Sequence, residues 1–404
     1  MKFAHLADIH IGGWQDQKLR KLNLNAFDKA INICINESTA FILIAGDFFN
    51  TALPSIDSLK DVARILRKVK EKNISLYLVP GSHDFSPSGK SMIDVLEKAG
   101  LLKNVMKIKD NKLLFTEDKT GTKITGILGL RTGLEKEYFK TLNFKDIEEE
   151  EGFKIFIFHT SIEEYKPKDL GDINSLSLDL FPKNFDYYAG GHVHYLLDVK
   201  HDRGHLAYPG PLFPNNFKEL EELKKGCFNL IETKDDMNII VKKIPIKLKE
   251  IDSYFFDANG RSPLQIENEI LNAVKNFKDK IVMIRIEGIL ETGKPTDINF
   301  KNIFDNFKEA YVVLKNTNKL VSKSFDNIRI DESIELTESR IIEEHVKSIE
   351  LKNPEVYNSI IKSLLLFLDS EKEEGEKSMD FERRIMDETL KSLGIENLFK
   401  NDNQ

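Results

Sequence analysis

Five short apolar runs dominate the first half of this sequence, and each leads directly into side chains that bind metal ions or transfer protons. Runs of this length are typical of buried strands, and their alternation with helical patterns favours a layered α/β fold. Because open α/β sheets place ligands at the carboxyl ends of their strands, we expect the polar side chains to converge at one rim. The runs and the residues after them are Lys2 to Ala7 before Asp8 and His10, Phe41 to Ala45 before Gly46 and Asp47, Ser75 to Val79 before Ser82, His83 and Asp84, Lys154 to Phe158 before His159, and Asp186 to Ala189 before His192 and His194.

The order of predicted elements divides the chain into three parts. Strands alternate with helices up to about residue 245, which predicts an α/β domain over 1–245. A smaller α/β unit over 246–330 contains no histidine, so we interpret it as an accessory domain. Its predicted elements are strands at 253–257, 281–287 and 311–314 and helices at 262–277 and 300–307.

The last part, 331–404, shows helical patterns and no strand pattern, so it is predicted to form a helical tail. One helix begins at Asn353 and Pro354, an N-cap followed by a proline at the first helical position, and its apolar stripe continues to Leu368. After a charged linker, a last amphipathic helix ends at Gly394. Apolar stripes beyond both α/β domains indicate an interaction surface; the alternative is that they fold back on the accessory domain.

Composition and charge exclude several classes of protein. The 404 residues carry a net charge of -7, so any contact with nucleic acid must come from a local patch or from bound metal. Cys34 and Cys227 are the only cysteines, too few for a disulfide framework or a cysteine zinc site. No apolar run approaches the ~18 residues of a membrane-spanning helix, and a strand at the N-terminus leaves no room for a signal peptide. The sequence therefore predicts a cytoplasmic protein that does not associate with a membrane.

The spacing of the candidate ligands predicts a centre for two divalent ions. Asp8 and His10 are two residues apart at a strand end, where a period of two points both side chains the same way, and His192 and His194 repeat the arrangement. Carboxylate and imidazole together suit Mn²⁺, Fe²⁺ or Zn²⁺ and fit Ca²⁺ poorly. Asp47 follows a glycine that permits a sharp turn, so it is the candidate to bridge two ions about 4 Å apart.

His83 has no ligand partner at this spacing and is therefore the candidate general acid that protonates the leaving group. Any one of these short motifs alone is a weak signal, because Asp-x-His pairs commonly cap turns. The motifs predict a metal centre because they occur together. Five of the nine histidines directly follow predicted strands, in the order that the combined motif requires. The remaining histidines are interpreted as core, loop or surface residues; they are His5, His201, His205 and His345.

These motifs resemble those of the calcineurin-like metallophosphoesterases. The matching residues are Asp8 and His10, Gly46 to Asn50, Gly81 to Asp84, His159, and Gly191 to His194. Within that superfamily, Asp8 to Gly12 and Tyr208 to Gly226 are similar to the break-repair nucleases called meiotic recombination eleven in eukaryotes and SbcD in bacteria. The resemblance implies a layered sandwich of sheets flanked by helices, a small α/β capping domain, a helical tail, and a manganese-dependent nuclease that processes DNA ends in double-strand-break repair.

The resemblance also implies which residues hold the ions. The first ion would be held by Asp8, His10, Asp47 and His194, and the second by Asp47, His159 and His192. The family's remaining ligand for the second ion is usually an asparagine, and this chain has Ser82 there. A hydroxyl is a poorer ligand than an amide carbonyl, so we expect Ser82 to act through a water molecule or to leave the second ion more loosely held.

The remaining residues of the motif would assist the chemistry. His83 stands at the position of the family's general acid, and Asn50 would orient its ring, with Asp84 as a further supporting residue. Because Asn50 is neutral, it would not favour the imidazolium form as a carboxylate does.

The resemblance implies partners as well: DNA ends, and an SMC-like ABC ATPase whose coiled-coil base would be bound by tail residues 354–393. Helices 57–72 and 90–98 fall where relatives build a homodimer from two helices per subunit, which would place two active sites side by side. The alternative is that the apolar residues of these helices only cover the sheet.

Two other functions stay open. A small-molecule phosphodiesterase or phosphatase could use the same metal centre, but it predicts a compact single domain, which the accessory domain and the tail argue against. A scaffold with a decayed site could tether DNA ends; Ser82 supports this alternative, and the retention of the other ligands weighs against it.

Overall fold

The computed structural model describes residues 1–85, 91–129, 135–167, 174–233, 238–323 and 378–394, together with isolated positions between 357 and 370. The strands of these parts are β1 (Lys2–Leu6), β2 (Phe41–Ala45), β3 (Ser75–Val79), β4 (Lys103–Asn104), β5 (Ile108–Lys109), β6 (Lys112–Leu113), β7 (Thr116–Glu117), β8 (Lys123–Ile127), β9 (Lys154–His159), β10 (Ser161–Ile162), β11 (Ser175–Leu176), β12 (Tyr187–Gly191), β13 (Leu196–His201), β14 (Gly204–Pro209), β15 (Gly226–Thr233), β16 (Ile239–Ile246), β17 (Ile251–Asp257), β18 (Ile281–Leu290), β19 (Val312–Asn316) and β20 (Leu320–Ser322). The α-helices are α1 (Gln17–Asn36), α2 (Ile56–Glu71), α3 (Met92–Lys98), α4 (Glu135–Thr141), α5 (Lys145–Glu149), α6 (Phe217–Leu223), α7 (Pro263–Ala273), α8 (Phe300–Asn306) and α9 (Ser378–Leu393).

Two six-stranded sheets form the framework of the predicted first domain. The first has the order β16-β15-β1-β2-β3-β4, in which β1 to β4 are parallel and β15 and β16 are antiparallel. The second has the order β13-β14-β12-β9-β8-β7, with a parallel centre made of β14, β12, β9 and β8. All five runs that lead into candidate site residues are parallel strands near the middle of these sheets, so the predicted layered α/β fold is confirmed.

The two sheets pack face to face, and β2 shows how the sequence permits this. Alternate residues of a strand point to opposite faces. Phe41, Leu43 and Ala45 therefore lie in the core between the sheets, whereas Ile42 and Ile44 lie in the core beneath the helices. Because both faces are covered, the strand is apolar throughout, as is usual in parallel sheets.

Helix α2 covers the first sheet with one face. Ser55 caps the helix by accepting a hydrogen bond from Ser58 N at 3.2 Å, which satisfies one of the free amides of the first turn. The buried face consists of Val62, Ile65, Leu66 and Val69, at the spacing of a helical stripe. These four residues are buried by other parts of the same chain, whereas Ile56 at the start of α2 is 84% exposed. The homodimer through 57–72 and 90–98 stays a prediction, and it must use the exposed face.

The elements predicted over 246–330 are present. Strands β17, β18 and β19 form a sheet in which β20 also pairs with β18, and α7 and α8 lie close to their predicted positions. Ile281, Met283 and Val312 belong to the same apolar core as α1 and α2.

Contacts divide the chain into two compact units. The first consists of Met1–Phe256, Asn268–Ile286 and Phe300–Thr317, and the second of Asp257–Glu267, Glu287–Asn299 and the described residues from Asn318 onward. The domain boundaries at 245 and 330 stay predictions.

The predicted tail helix ending at Gly394 is present as α9. The predicted helix over 354–368 lies largely outside the described residues, as does His345. In the described parts of the chain, none of the helices combines the length and apolar character needed to cross a bilayer.

Candidate metal centre

The two central carboxylates of the predicted site lie among three of its histidines. Asp8 Oδ1 is 3.7 Å from His194 Nε2 and 3.9 Å from His159 Nδ1. Asp47 Oδ2 is 3.6 Å from His10 Nε2 and 3.2 Å from His159 Nε2. Asp8, His10, Asp47 and His159 are almost fully buried, so the centre lies at the floor of the site and its ligands are fixed by packing.

The side chains converge through tight turns, and the period-two explanation given for Asp8 and His10 is wrong. Strand β1 ends at Leu6, and Asp8 and His10 have φ values of 50° and 46°. Asp47 and His192 also have positive φ values, of 46° and 89°. Non-glycine residues in such regions cost on the order of 1–3 kcal/mol each and concentrate at functional sites. Here the turns bring Asp8 and His10 together, with donor atoms of both within 4.8 Å of each other.

Unlike Asp8 and His10, the pair His192 and His194 does not meet at one point. His194 Nε2 lies 3.3 Å from His10 Nε2, on the Asp8 side of the centre. The His192 ring instead packs edge-on against the His159 ring, with centroids 5.1 Å apart. The two residues therefore face different parts of the centre.

Glycines let the backbone approach these ligands. A Cβ on Gly46, which has φ 78°, would lie 2.0 Å from His159 Nδ1. A Cβ on Gly81 would lie 2.2 Å from the Asp47 backbone nitrogen. Any side chain at either position would push a candidate ligand aside, so both loops need glycine for packing, and Gly46 is also needed for its left-handed turn.

His159 shows that the centre fits a cation. Its Nδ1 lies 2.9 Å from the Ala45 carbonyl oxygen, to which it donates, so a neutral ring carries its lone pair on Nε2. That Nε2 is buried and forms no well-aligned hydrogen bond within the described part of the chain, although Asp47 Oδ2 is 3.2 Å away. Burial lowers the pKa of His159, but the Asp47 carboxylate outweighs it and raises this pKa to about 9. The carboxylates thus favour a positive charge at this position. A divalent ion between His159 Nε2 and Asp47 Oδ2 would supply that charge.

Sequence reasoning missed Glu219, which holds His194. Its Oε1 accepts a hydrogen bond from His194 Nδ1 at 2.8 Å, so Nε2 faces the centre. Its Oε2 accepts from Asn215 N at 2.8 Å, and Glu219 N donates to the Asn216 side chain at 3.0 Å. Burial lowers the pKa of His194, but Glu219 and Asp8 together raise it to about 9. The Asn216-x-x-Glu219 spacing of a capping box at α6 was a local signal, although it does not reveal the contact with His194.

We expect Glu219→Gln to weaken metal binding at the centre by roughly 10- to 100-fold, the usual effect of losing a carboxylate that orients a histidine ligand. Calorimetric titration with Mn²⁺ measures this affinity. Glu222→Gln is the matched control, because Glu222 lies on the same helix, is exposed and forms an ion pair with Lys218 at 3.8 Å. Equal affinities in the two variants would show that Glu219 has no part in the centre.

His83 lies beside the centre and is held at both its backbone and its ring. Its backbone nitrogen donates to Asp47 Oδ1 at 2.8 Å, and its Nδ1 is 2.9 Å from the Asn50 backbone oxygen. The predicted orienting contact therefore comes from the main chain of Asn50 and not from its side chain. Donor atoms of His10, Asp47 and His83 lie within 4.8 Å of one another, so His83 is near enough to act on a substrate held there.

Asp84 ties the loop after β2 to the loop after β3. Its buried carboxylate accepts hydrogen bonds from Phe48 N at 3.1 Å, Phe49 N at 2.9 Å and Gly81 N at 2.9 Å. Burial, followed by repulsion from Asp47, raises the pKa of Asp84 to about 6. Asp84 thereby positions the segment that carries Ser82 and His83, and its supporting role in the chemistry stays a prediction.

The histidines assigned no role lie outside the centre wherever the structure describes them. His5 is fully buried in the core, with Nδ1 3.0 Å from the Tyr187 hydroxyl. His201 and His205 are partly exposed on β13 and β14, and His205 Nδ1 is 3.2 Å from Asp198.

Comparison with known proteins agrees with this geometry. A family model described as "Calcineurin-like phosphoesterase" matches residues 1–196. The DNA double-strand break repair protein Mre11 of Methanocaldococcus jannaschii is 28% identical over 328 residues, which cover 78% of this chain and 82% of that protein. The Mre11 proteins of Archaeoglobus fulgidus and Methanococcus maripaludis are each 26% identical, covering 100% and 90% of this chain and 92% and 95% of those proteins. We conclude that residues 1–196 match the calcineurin-like phosphoesterases, in a chain that resembles Mre11 over most of its length.

Proposed function

We propose that this chain is a nuclease that uses two divalent metal ions, preferably Mn²⁺, to hydrolyse phosphodiester bonds at DNA ends in double-strand-break repair. The observation that carries the proposal is the meeting of Asp8 and Asp47 with histidines from both sheets at one buried point. The relatives described as DNA double-strand break repair proteins support the choice of substrate, because the similarity extends well beyond the phosphoesterase domain.

In this proposal the first ion takes Asp8, His10, Asp47 and His194, and the second takes Asp47, His159, His192 and Ser82. The position of Asp47 Oδ2 between His10 Nε2 and His159 Nε2, at 3.6 and 3.2 Å, supports its role as the bridge. Two bound divalent ions would supply Lewis-acid polarisation of the phosphodiester and activation of a water molecule.

The chain itself supplies the proton for the leaving group. The Asn50 carbonyl oxygen holds the proton on His83 Nδ1, so the proton that His83 can transfer is the one on Nε2. The hydrogen bond from His83 N to Asp47 Oδ1 keeps the ring at a fixed distance from the bridging carboxylate. A general acid fixed in this way is already oriented to protonate the departing oxygen, so little conformational entropy is lost in the reaction.

The proposed partners are DNA ends, a second copy of the chain through helices 57–72 and 90–98, and an SMC-like ABC ATPase bound by tail residues 354–393. The exposed Ile56 supports the homodimer, and Met386, which is 59% exposed on α9, supports the tail as an interaction surface. The cytoplasmic location stays a prediction.

Parallel assays of DNA and bis-p-nitrophenyl phosphate test the proposed function. With Mn²⁺ the chain should cleave nicked or blunt DNA, and a chelator should abolish this cleavage. Cleavage of bis-p-nitrophenyl phosphate without cleavage of DNA would instead identify a small-molecule phosphodiesterase. Loss of both activities together with retained DNA binding would identify a tethering scaffold.

Ser82 gives a prediction specific to this chain. If Ser82 is a weak ligand, Ser82→Asn should tighten the second Mn²⁺ site by on the order of tenfold, about 1.4 kcal/mol, because the amide oxygen is a better donor. Calorimetric titration separates the two sites, and the first site should not change. Ser82→Ala is the control for the loss of the hydroxyl. An unchanged second-site affinity in both variants would place Ser82 away from the ion.

A further inference from the structure

A cavity of about 280 Å³ opens directly beside the metal centre, and His194 forms part of its wall. Most of the wall is apolar, and its apolar residues are Leu196, Pro209, Pro211, Leu223 and Pro245. Leu196 is 45% exposed, so an apolar edge stands open to solvent at this point. The cavity is therefore suited to a ligand with apolar faces whose other end reaches the metal centre.

Two cations accompany this apolar wall. Lys225 and Lys243 both line the cavity and are exposed to solvent. Neither ammonium group has a carboxylate partner within 4.0 Å among the residues that the structure describes. Both oppose the burial that raises the pKa of the Cys227 thiol, another residue of the wall, so their charges act on the cavity itself. Available lysines at a phosphoesterase site favour an anionic ligand.

The size of the cavity limits what can enter. Pockets for drug-sized ligands begin at roughly 300 Å³, so this cavity takes one flat ring system and excludes a base pair. Nucleobases have apolar faces that bury well in such sites, while the phosphates on either side remain near cationic side chains. Because His194 is shared with the centre, a base in the cavity must belong to a nucleotide next to the phosphate under attack.

We propose that this cavity binds the unpaired base of the nucleotide beside the scissile phosphate, with Lys225 and Lys243 holding a neighbouring phosphate. The inference rests on the proposed nuclease function and adds a requirement to it. A nucleotide of a duplex end must leave its pair before its base can enter, so frayed or single-stranded ends are the preferred substrates.

Alkylation of Cys227 tests binding without any catalysis. Cys34 is fully buried, whereas Cys227 is partly exposed in the cavity wall, so N-ethylmaleimide should modify Cys227 selectively. In the full-length protein with chelator, deoxythymidine monophosphate at ten times its Kd should slow this reaction roughly tenfold, because protection follows 1 + [L]/Kd. Deoxyribose 5-phosphate and inorganic phosphate should protect much less. Equal protection by the three compounds would show that phosphate alone is bound, and absence of protection by the nucleotide would overturn the proposal.

Two variants connect the cavity to cleavage. Leu196→Asp places a charge in the apolar wall at an exposed position, so it should abolish nucleotide protection without unfolding the chain. Lys243→Glu should raise KM for single-stranded DNA roughly tenfold, because it replaces a phosphate-holding cation by an anion. Lys242→Glu is the matched control, because the adjacent residue of β16 points to the other face of the strand and pairs with Glu232.

The outcomes separate this inference from the proposed function. If the parent protein cleaves no DNA, the nuclease proposal fails, while protection of Cys227 still decides whether the cavity binds a base. If the parent cleaves DNA and Leu196→Asp cleaves single strands with the parent KM, the nuclease proposal stands and the base-binding cavity is refuted.

Discussion

His83→Ala should lower the rate of DNA cleavage by about 100- to 10,000-fold, the range that a general acid contributes. The variant should still bind metal ions, because the predicted ligands on both sheets are unchanged and Asp84 continues to hold the loop. Single-turnover cleavage of an oligonucleotide in Mn²⁺ measures the rate, and calorimetric titration measures the number of bound ions.

A substrate with a good leaving group sharpens this test. The p-nitrophenolate group departs without a proton, so hydrolysis of bis-p-nitrophenyl phosphate should fall far less in His83→Ala than cleavage of DNA. His205→Ala is the matched control, since His205 is a histidine remote from the centre that contacts Asp198. Equal losses on both substrates, or loss of a bound ion, would assign His83 a ligand role instead of an acid role.

Asp47→Ala should remove both ions and, with them, phosphodiester cleavage. Its carboxylate faces His10 and His159 and also accepts the His83 backbone N–H at 2.8 Å, so no other residue replaces it. We expect Mn²⁺ affinity to fall by at least roughly 100-fold. Loss of a residue that only orients a ligand lowers metal affinity by about 10- to 100-fold, and loss of a ligand should cost at least as much. Calorimetry should show the stoichiometry fall from two ions to none in the accessible range.

The control for Asp47→Ala is Asp61→Ala, which removes a surface carboxylate that is 40% exposed and pairs with Arg64 at 3.4 Å. Exposed pairs of this kind contribute about 0–1 kcal/mol, so metal binding and cleavage should match the parent. Retention of one tightly bound ion in Asp47→Ala would show that Asp47 serves a single site and is not a bridge.

The strands that carry the site were readable from the sequence alone. The observed bounds of β2 and β3 are those of the apolar runs Phe41 to Ala45 and Ser75 to Val79. Strands buried on both faces must be apolar throughout, so the run and the strand coincide. The observed α2 begins one residue before the predicted 57–72, because Ser55, as the N-cap, fixes its start.

The packing of the segment after residue 245 could not be predicted from the sequence, unlike the approximate positions of its strands and helices. Its strands and helices were predicted, but an apolar pattern does not state which surface will bury it. In the structure Ile281, Met283 and Val312 share a core with α1 and α2 of the first sheet. Contacts between segments so distant in the chain are decided by the shape and position of both partners.

The side chains that reach the rim could be predicted from the amino-acid sequence, because residue type and position after a strand are local properties. The atoms that face one another there are known only from the folded chain. The left-handed turns at Asp8 and His10 and the pairing of His194 with Glu219 did not follow from spacing. Ligand geometry depends on the packing of two sheets, and contacting residues of these sheets, such as Ala45 and His159, are 114 positions apart in the chain.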